Sequence, residues 1–153
     1  MKKLNPAYVE SIIKIVNECP YFSLLSMEVK SVGLGESHLT VAVNKKHLQP
    51  FHQVHGGVYA SLIDAAAFWA VYPQLEERVG LTTVELKINY LAPLSQGRMI
   101  AKGRSIKVGK TLCLGEASIE DETGKLLAHG TETMMVLKDL KFQNHPSLPT
   151  KFQ

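Results

Sequence analysis

An almost unbroken apolar run carrying one carboxylate, GVYASLIDAAAFWAVY at residues 57–72, restricts this chain's possible folds more than any other feature. Apart from the tyrosine hydroxyls, Ser61 and Asp64 are its only clearly polar side chains, and its five alanines give it high helix propensity. A helix that is apolar on nearly every side has to be enclosed by other structure. At 1.5 Å per residue the run covers about 24 Å, short of a comfortable bilayer span, and strand-like segments follow it. The expectation is a core helix with Asp64 two turns inside it.

The flanking sequence supplies the enclosure. Asn5 and Pro6 form a helix start, and Val9, Ile12, Ile13 and Val16 recur on one face until Pro20. MEVKSVG and ESHLTVAV, separated by a turn at Gly33, Leu34 and Gly35, read as a hairpin. After the apolar run, Val84, Leu86, Ile88 and Tyr90 alternate with Glu85, Lys87 and Asn89, as in a half-buried strand. Turn signals at 93–97, 108–110 and 121–124 divide the remainder into strands near 98–107, 111–120 and 126–138. The order predicts an α+β fold in which one curved antiparallel sheet wraps around a long central helix, with an extra N-terminal helix. Residues 1–22 form the N-terminal extension, 23–138 the main domain and 139–153 a tail, aperiodic and expected to be loosely held.

Composition narrows the function classes. The chain has 153 residues, 45% of them hydrophobic and 20% charged, which suits one domain. A net charge of +3 without a concentrated basic stripe argues against a nucleic-acid binder. Cys19 and Cys113 form no C-x-x-C pair, and His38, His47, His52, His129 and His145 have no recognised metal spacing. No metal or cofactor is expected. The N-terminus lacks the apolar segment of a signal peptide, so a cytoplasmic location is expected, without membrane partners.

Asp64 needs a partner, a raised pKa or a wet cleft, because desolvating an ionised carboxylate costs several kcal/mol. At helical offsets it shares its face with Ala60, Ser61, Ala67 and Phe68, leaving either open space beside one aromatic wall or a tight helix contact. His55, Gly56 and Gly57 stand at the predicted helix start, where unpaired N–H groups and the dipole favour negative charge; without further context a plain loop-to-helix turn and a hydrogen-bonded packing histidine are the commoner explanations. Gly56 and Asp64 are eight residues apart, about 12 Å along the axis, too far to act on the same carbonyl. If two copies of the helix lie antiparallel about a two-fold axis, Asp64 of one approaches Gly56 of the other.

The run Gln49-x5-His55-Gly56-Gly57-x6-Asp64, with a hairpin before it and TTVELKINYLAPLSQG after it, resembles the hotdog-fold acyl-CoA thioesterases of the PaaI and 4-hydroxybenzoyl-CoA thioesterase type over residues 23–138. That resemblance implies a homodimer, often paired into a homotetramer, with active sites between subunits and an acyl-CoA substrate. It implies that the Gly56 N–H polarises the thioester carbonyl, that His55 orients the loop or thiol side, and that Asp64 is nucleophile or general base. Gln49 stands where many PaaI-type relatives have Asn, and Thr83 matches a hydroxyl position that holds the attacking water. Gly57 and Phe68 are then substrate-binding, and Arg104, Lys107, Gly109 and Lys110 around one hairpin turn are candidates for the CoA phosphates. The same fold also carries acyl-thioester dehydratases or hydratases and non-catalytic acyl-CoA-binding modules, which are the competing expectations.

Overall fold

In the computed structural model, which describes residues 2–145 and 147–153, the apolar run forms helix α3 (Gly56–Val71). Ten of its sixteen residues are buried, among them Leu62, Ile63, Ala66 and Ala67 with no exposed surface. Before it come α1 (Pro6–Glu18), a short α2 (Pro20–Leu25), β1 (Met27–Val32) and β2 (Glu36–Ala42). After it come β3 (Val79–Tyr90), β4 (Arg98–Val108), β5 (Leu112–Glu120) and β6 (Leu126–Lys138). The six strands make one antiparallel sheet in the order β1-β2-β4-β5-β6-β3, so β1 and β3 are its edges. Among the described residues no helix is long and apolar enough to cross a membrane.

Pro20 ends α1 and also opens α2, since its fixed φ and missing N–H suit a first helical turn. Asn5 caps α1 by accepting from the Ala7 N–H at 3.0 Å. The N-terminal helices are packed into the same core as α3, with Tyr8, Ile12, Val16 and Phe22 all buried there.

Helix α3 lies unusually close to the sheet, and three strand glycines permit it. A Cβ at Gly103 on β4 would overlap the Ala66 carbonyl, one at Gly115 on β5 would crowd the Ala67 carbonyl, and one at Gly130 on β6 would press on Ile63. The buried Ser37 hydroxyl on β2 donates to the Ala66 carbonyl at 2.6 Å, a hydrogen bond from the sheet to the helix backbone.

Two sequence expectations change. Leu86 and Ile88 pack against the core, but Val84 and Tyr90 are 52% and 56% exposed. A β-bulge between Thr83 and Glu85 turns Val84 out of the alternation, whereas Tyr90 keeps the phase of Leu86 and Ile88 and lies over Tyr59 and Gly56 at the end of a strand that has a neighbour on one side only. The tail is not loosely held at its end. Lys151 is buried and donates to the Tyr72 and Leu75 carbonyls at 2.9 and 2.8 Å, just beyond the C-terminus of α3, with Nζ 4.4 Å from the centre of the Tyr72 ring. The neighbouring backbone pairs with the N-terminal segment through Asn5 N–H to Lys151 O and Gln153 N–H to Lys3 O.

The close helix approach gives a direct test. Gly103→Ala is expected to cost about 1–3 kcal/mol because the contact is with backbone that cannot swing aside. Thermal unfolding should show a fall of about 2–12 °C in Tm for a chain of this size.

Candidate active site

Asp64 is half-buried on α3 and turned toward the edge strand β3. There the Thr83 hydroxyl lies 3.0 Å from Asp64 Oδ1 and 2.6 Å from Glu132 Oε1 on β6. Glu132 has no exposed surface, and its Oε2 has no hydrogen-bond partner. Two carboxyl groups and one hydroxyl therefore converge at the rim of the sheet. The bulge after Thr83 is the kind of irregularity that re-aims a strand side chain.

Burial raises the pKa of Asp64 above the usual carboxylate range, opposed by its hydrogen bonds with Thr83 and with the Glu132 carboxyl. Glu132 is displaced further: burial, followed by the charge of Asp64, pushes its carboxyl up to about 8. The sign for stability follows from the folded state holding a proton that the unfolded chain releases near its ordinary value. Glu132 favours folding fully below that value, and this contribution is lost progressively as pH rises to about 8.

The other half of the predicted constellation lies at the start of α3. His55 is the N-cap, with φ −62° and ψ 139°, and its Nδ1 accepts from the Gly57 N–H at 2.8 Å. That bond places the neutral ring's proton on Nε2, on an exposed side chain. The Gly56 N–H, in the first turn, has no intrahelical acceptor and no partner among the described residues. Tyr90, at the far end of β3, donates from its hydroxyl to the Gly56 carbonyl at 3.3 Å.

Gln49 belongs to this end as well. Its Oε1 accepts from the Phe51 N–H and its backbone N–H donates to Gln53 O at 2.8 Å, so the side chain braces the loop that enters the helix. His47, by contrast, is a packing residue. It is buried, accepts at Nδ1 from the Asn44 N–H at 3.0 Å and donates from Nε2 to Leu25 O at 2.7 Å.

Within one chain the structure brings Thr83 to Asp64 and keeps His55, Gly56, Gly57 and Gln49 together at the helix start, about two turns from the acid. Phe68, one turn after Asp64, is half-buried and stacks on Tyr72 with ring centres 5.7 Å apart. Arg104 alternates with the inward Gly103 and so projects from the outer sheet face, where it pairs with Glu116, itself bonded to His129 at 3.1 Å. Lys107 and Lys110 are exposed beside Gly109 at the hairpin between β4 and β5. Among the described residues no group of three His, Cys, Asp or Glu side chains is placed to hold a metal ion.

Glu132 and Tyr90 were not among the sequence candidates. The signal for Glu132 was present: it falls in phase with Ala128, Gly130 and Met134 on the buried face of β6. An acid on the apolar face of a strand asks for the same explanation as an acid in an apolar helix.

One antiparallel sheet wrapped around a single buried helix is the hotdog architecture. A solved thioesterase structure from Haemophilus influenzae matches it with a TM-score of 0.82 at 24% identity, covering 94% of this chain and all of that one. The family model described as Thioesterase superfamily matches residues 51–128. The chain is 32% identical over 117 residues to a 1,4-dihydroxy-2-naphthoyl-CoA hydrolase of Listeria monocytogenes, spanning 76% of this chain and 95% of the relative. Acyl-coenzyme A thioesterase 13 of mouse is 26% identical over 129 residues, 82% of this chain and 91% of that protein. The chain belongs to the Thioesterase superfamily and is a thioester hydrolase.

Because the Thr83 hydroxyl is a partner to both carboxyl groups, Thr83→Val should leave each of them short of a hydrogen bond while nearly preserving volume. Equilibrium urea unfolding is expected to show a loss of about 1–3 kcal/mol.

Proposed function

We propose that this protein hydrolyses an acyl- or aryl-CoA thioester to the free acid and CoA, at sites that each draw on two chains. Asp64 serves as nucleophile or as the base that takes a proton from the attacking water. The Gly56 N–H of the other chain receives the developing oxyanion. Breaking the C–S bond releases the CoA thiol, and the hydroxyl of water ends on the acyl carbon. The CoA part of the reading rests on the named activities of the Listeria and mouse relatives.

The observation that carries the shared site is the layout of β3. Thr83, beside Asp64, and Tyr90, beside Gly56, stand on one exposed edge strand. An unpaired edge of twelve residues is a template for a second strand. If β3 pairs antiparallel with its own copy about a two-fold axis near Leu86, the Thr83 end of each chain meets the Tyr90 end of the other. The open Asp64 and the unpartnered Gly56 N–H then face each other, which they cannot do within one chain at about 12 Å axial separation.

In such a dimer His55 holds the Gly57 N–H and orients the loop, Gln49 keeps its amide N–H groups for the substrate, and Phe68 with Gly57 borders the acyl group. Thr83 holds Asp64 and the attacking water. Lys107, Gly109 and Lys110 at their exposed hairpin meet the CoA phosphates, and Arg104 contributes less because Glu116 already pairs with it. Association of two dimers into a tetramer remains part of the proposal.

Two substitutions separate the roles. Asp64→Asn should abolish hydrolysis while retaining acyl-CoA binding, as measured by thiol release and by calorimetry; wild-type turnover would overturn the assignment. Gly56→Pro places proline at the first helical residue after an extended His55, where the backbone tolerates it, and replaces the N–H by a ring carbon, with the added Cβ in contact with the Tyr90 ring at 3.4 Å. Loss of that oxyanion donor should reduce kcat by about 10²- to 10³-fold with the helix intact by circular dichroism. A screen of short, long, branched and aromatic acyl-CoAs, including hexanoyl-CoA and benzoyl-CoA, identifies the acyl class.

A further inference from the structure

Thr83 has one hydroxyl hydrogen and two carboxyl neighbours, Asp64 Oδ1 at 3.0 Å and Glu132 Oε1 at 2.6 Å. The hydroxyl can donate to one of them only. If both carboxyl groups were ionised, the other contact would set lone pair against lone pair at hydrogen-bond distance. One of the two must carry a proton. Asp64 is half-buried at the open edge of the sheet, whereas Glu132 has no exposed surface and an Oε2 without a partner. An unpartnered carbonyl oxygen of a neutral acid is far cheaper to bury than an unpartnered carboxylate oxygen. The proton therefore belongs on Glu132.

We infer that Glu132 is a positioning residue that stays protonated and donates to Thr83 Oγ1, so that the Thr83 hydroxyl is committed as a donor to Asp64 and holds Asp64 ionised and oriented toward the reacting carbonyl. This builds on the thioesterase reading above and adds to it a group that touches no substrate. The shared hydroxyl works in one direction only while Glu132 keeps its proton. Ionised, Glu132 would draw the Thr83 hydrogen to itself and add a second negative charge beside Asp64.

The surroundings agree. From α3 the group facing Glu132 is Asp64, and from β3 it is the Thr83 hydroxyl, with Leu86 opposite in the ladder. On β5 the residue opposite is Gly115, and the nearest inward titratable side chain is the Cys113 thiol, which burial raises and which donates to Gly109 O at 3.6 Å. Glu85, Glu116 and His129 lie on the outer face, where Glu85 accepts from Thr133 and Glu116 from Arg104. No cation faces Glu132 among the described residues. Burial and the Asp64 charge hold its proton up to about pH 8.

Two measurements test this, one of them independent of activity. In protein carrying 13C-labelled glutamate carboxyl groups, one resonance should titrate near pH 8, be missing in Glu132→Gln, and move to lower pH in Asp64→Asn, where the neighbouring charge is gone. A Glu132 resonance that titrates in the ordinary carboxylate range would overturn the inference even if the protein hydrolyses thioesters. The second is the pH profile of kcat/KM on benzoyl-CoA, or on hexanoyl-CoA if that is the better substrate. Between pH 7 and 9.5 the wild type should lose about 30-fold as Glu132 ionises, whereas Glu132→Gln, whose amide keeps a donor for Thr83, should lose less than about 2-fold. Lys151, which burial lowers to about 8, is present in both proteins, so the difference between the two profiles isolates Glu132. Identical alkaline limbs would overturn the inference. If neither thioester is hydrolysed, the functional reading fails and the carboxyl titration still decides the state of Glu132.

Discussion

The contact between the Ala66 carbonyl of α3 and the bare Cα of Gly103 on β4 fixes the geometry of everything else in this molecule. A helix normally stands off a sheet by the length of the intervening side chains. Here Gly103, Gly115 and Gly130 remove those side chains on three adjacent strands, and Ala66 and Ala67 remove them on the helix. The helix backbone comes near enough for Ser37 to bond the Ala66 carbonyl, and the apolar run is sealed without a thick intervening layer. The same approach sets Asp64 level with Thr83 and Glu132, at bond distance from the first and beside the second.

Where the sheet stops, the site begins. Strand β3 has only β6 as a neighbour, so one side of its backbone is unpaired and the groups bonded to it, Asp64 through Thr83 and Gly56 through Tyr90, lie along a free rim. The two groups proposed to act on the thioester carbonyl are thus displayed on one edge but separated along it. A closed sheet would have buried Asp64 beyond reach of any substrate. An open one leaves it half-buried, with its proton affinity raised by desolvation yet accessible from the side where a second chain would add its strand.

Much of this was legible before the coordinates. The helix declared itself by an apolar run too polar at Asp64 and too short to span a bilayer, and the strands by alternation between turn residues. The eight-residue separation of Gly56 and Asp64 sets them about 12 Å apart along one helix, which is the premise of the proposed shared site. Three things were not legible. Val84 fits the alternation of β3, and a bulge that shifts register leaves no mark in a period-two pattern. Glu132 sits in a strand segment with no motif around it, and only its phase with Gly130 and Met134 marks it as facing the buried side. Lys151 sits in an aperiodic segment, and its fit beneath the end of α3 depends on two carbonyls 79 and 76 positions away. Arg104 looked available for phosphates because its partner Glu116 is a neighbour across the ladder and not along the chain.

The central claim is that each active site joins Asp64 of one chain to Gly56 of another, and mixing two inactive variants tests it most directly. Asp64→Asn and Gly56→Pro chains, unfolded together and refolded at equal concentration, should form heterodimers in half of all dimers, each with one intact site. The account predicts recovery of about a quarter of wild-type thioesterase activity from two proteins that are each nearly inactive. A mixture that, after complete subunit exchange, remained as inactive as its separate components would contradict it.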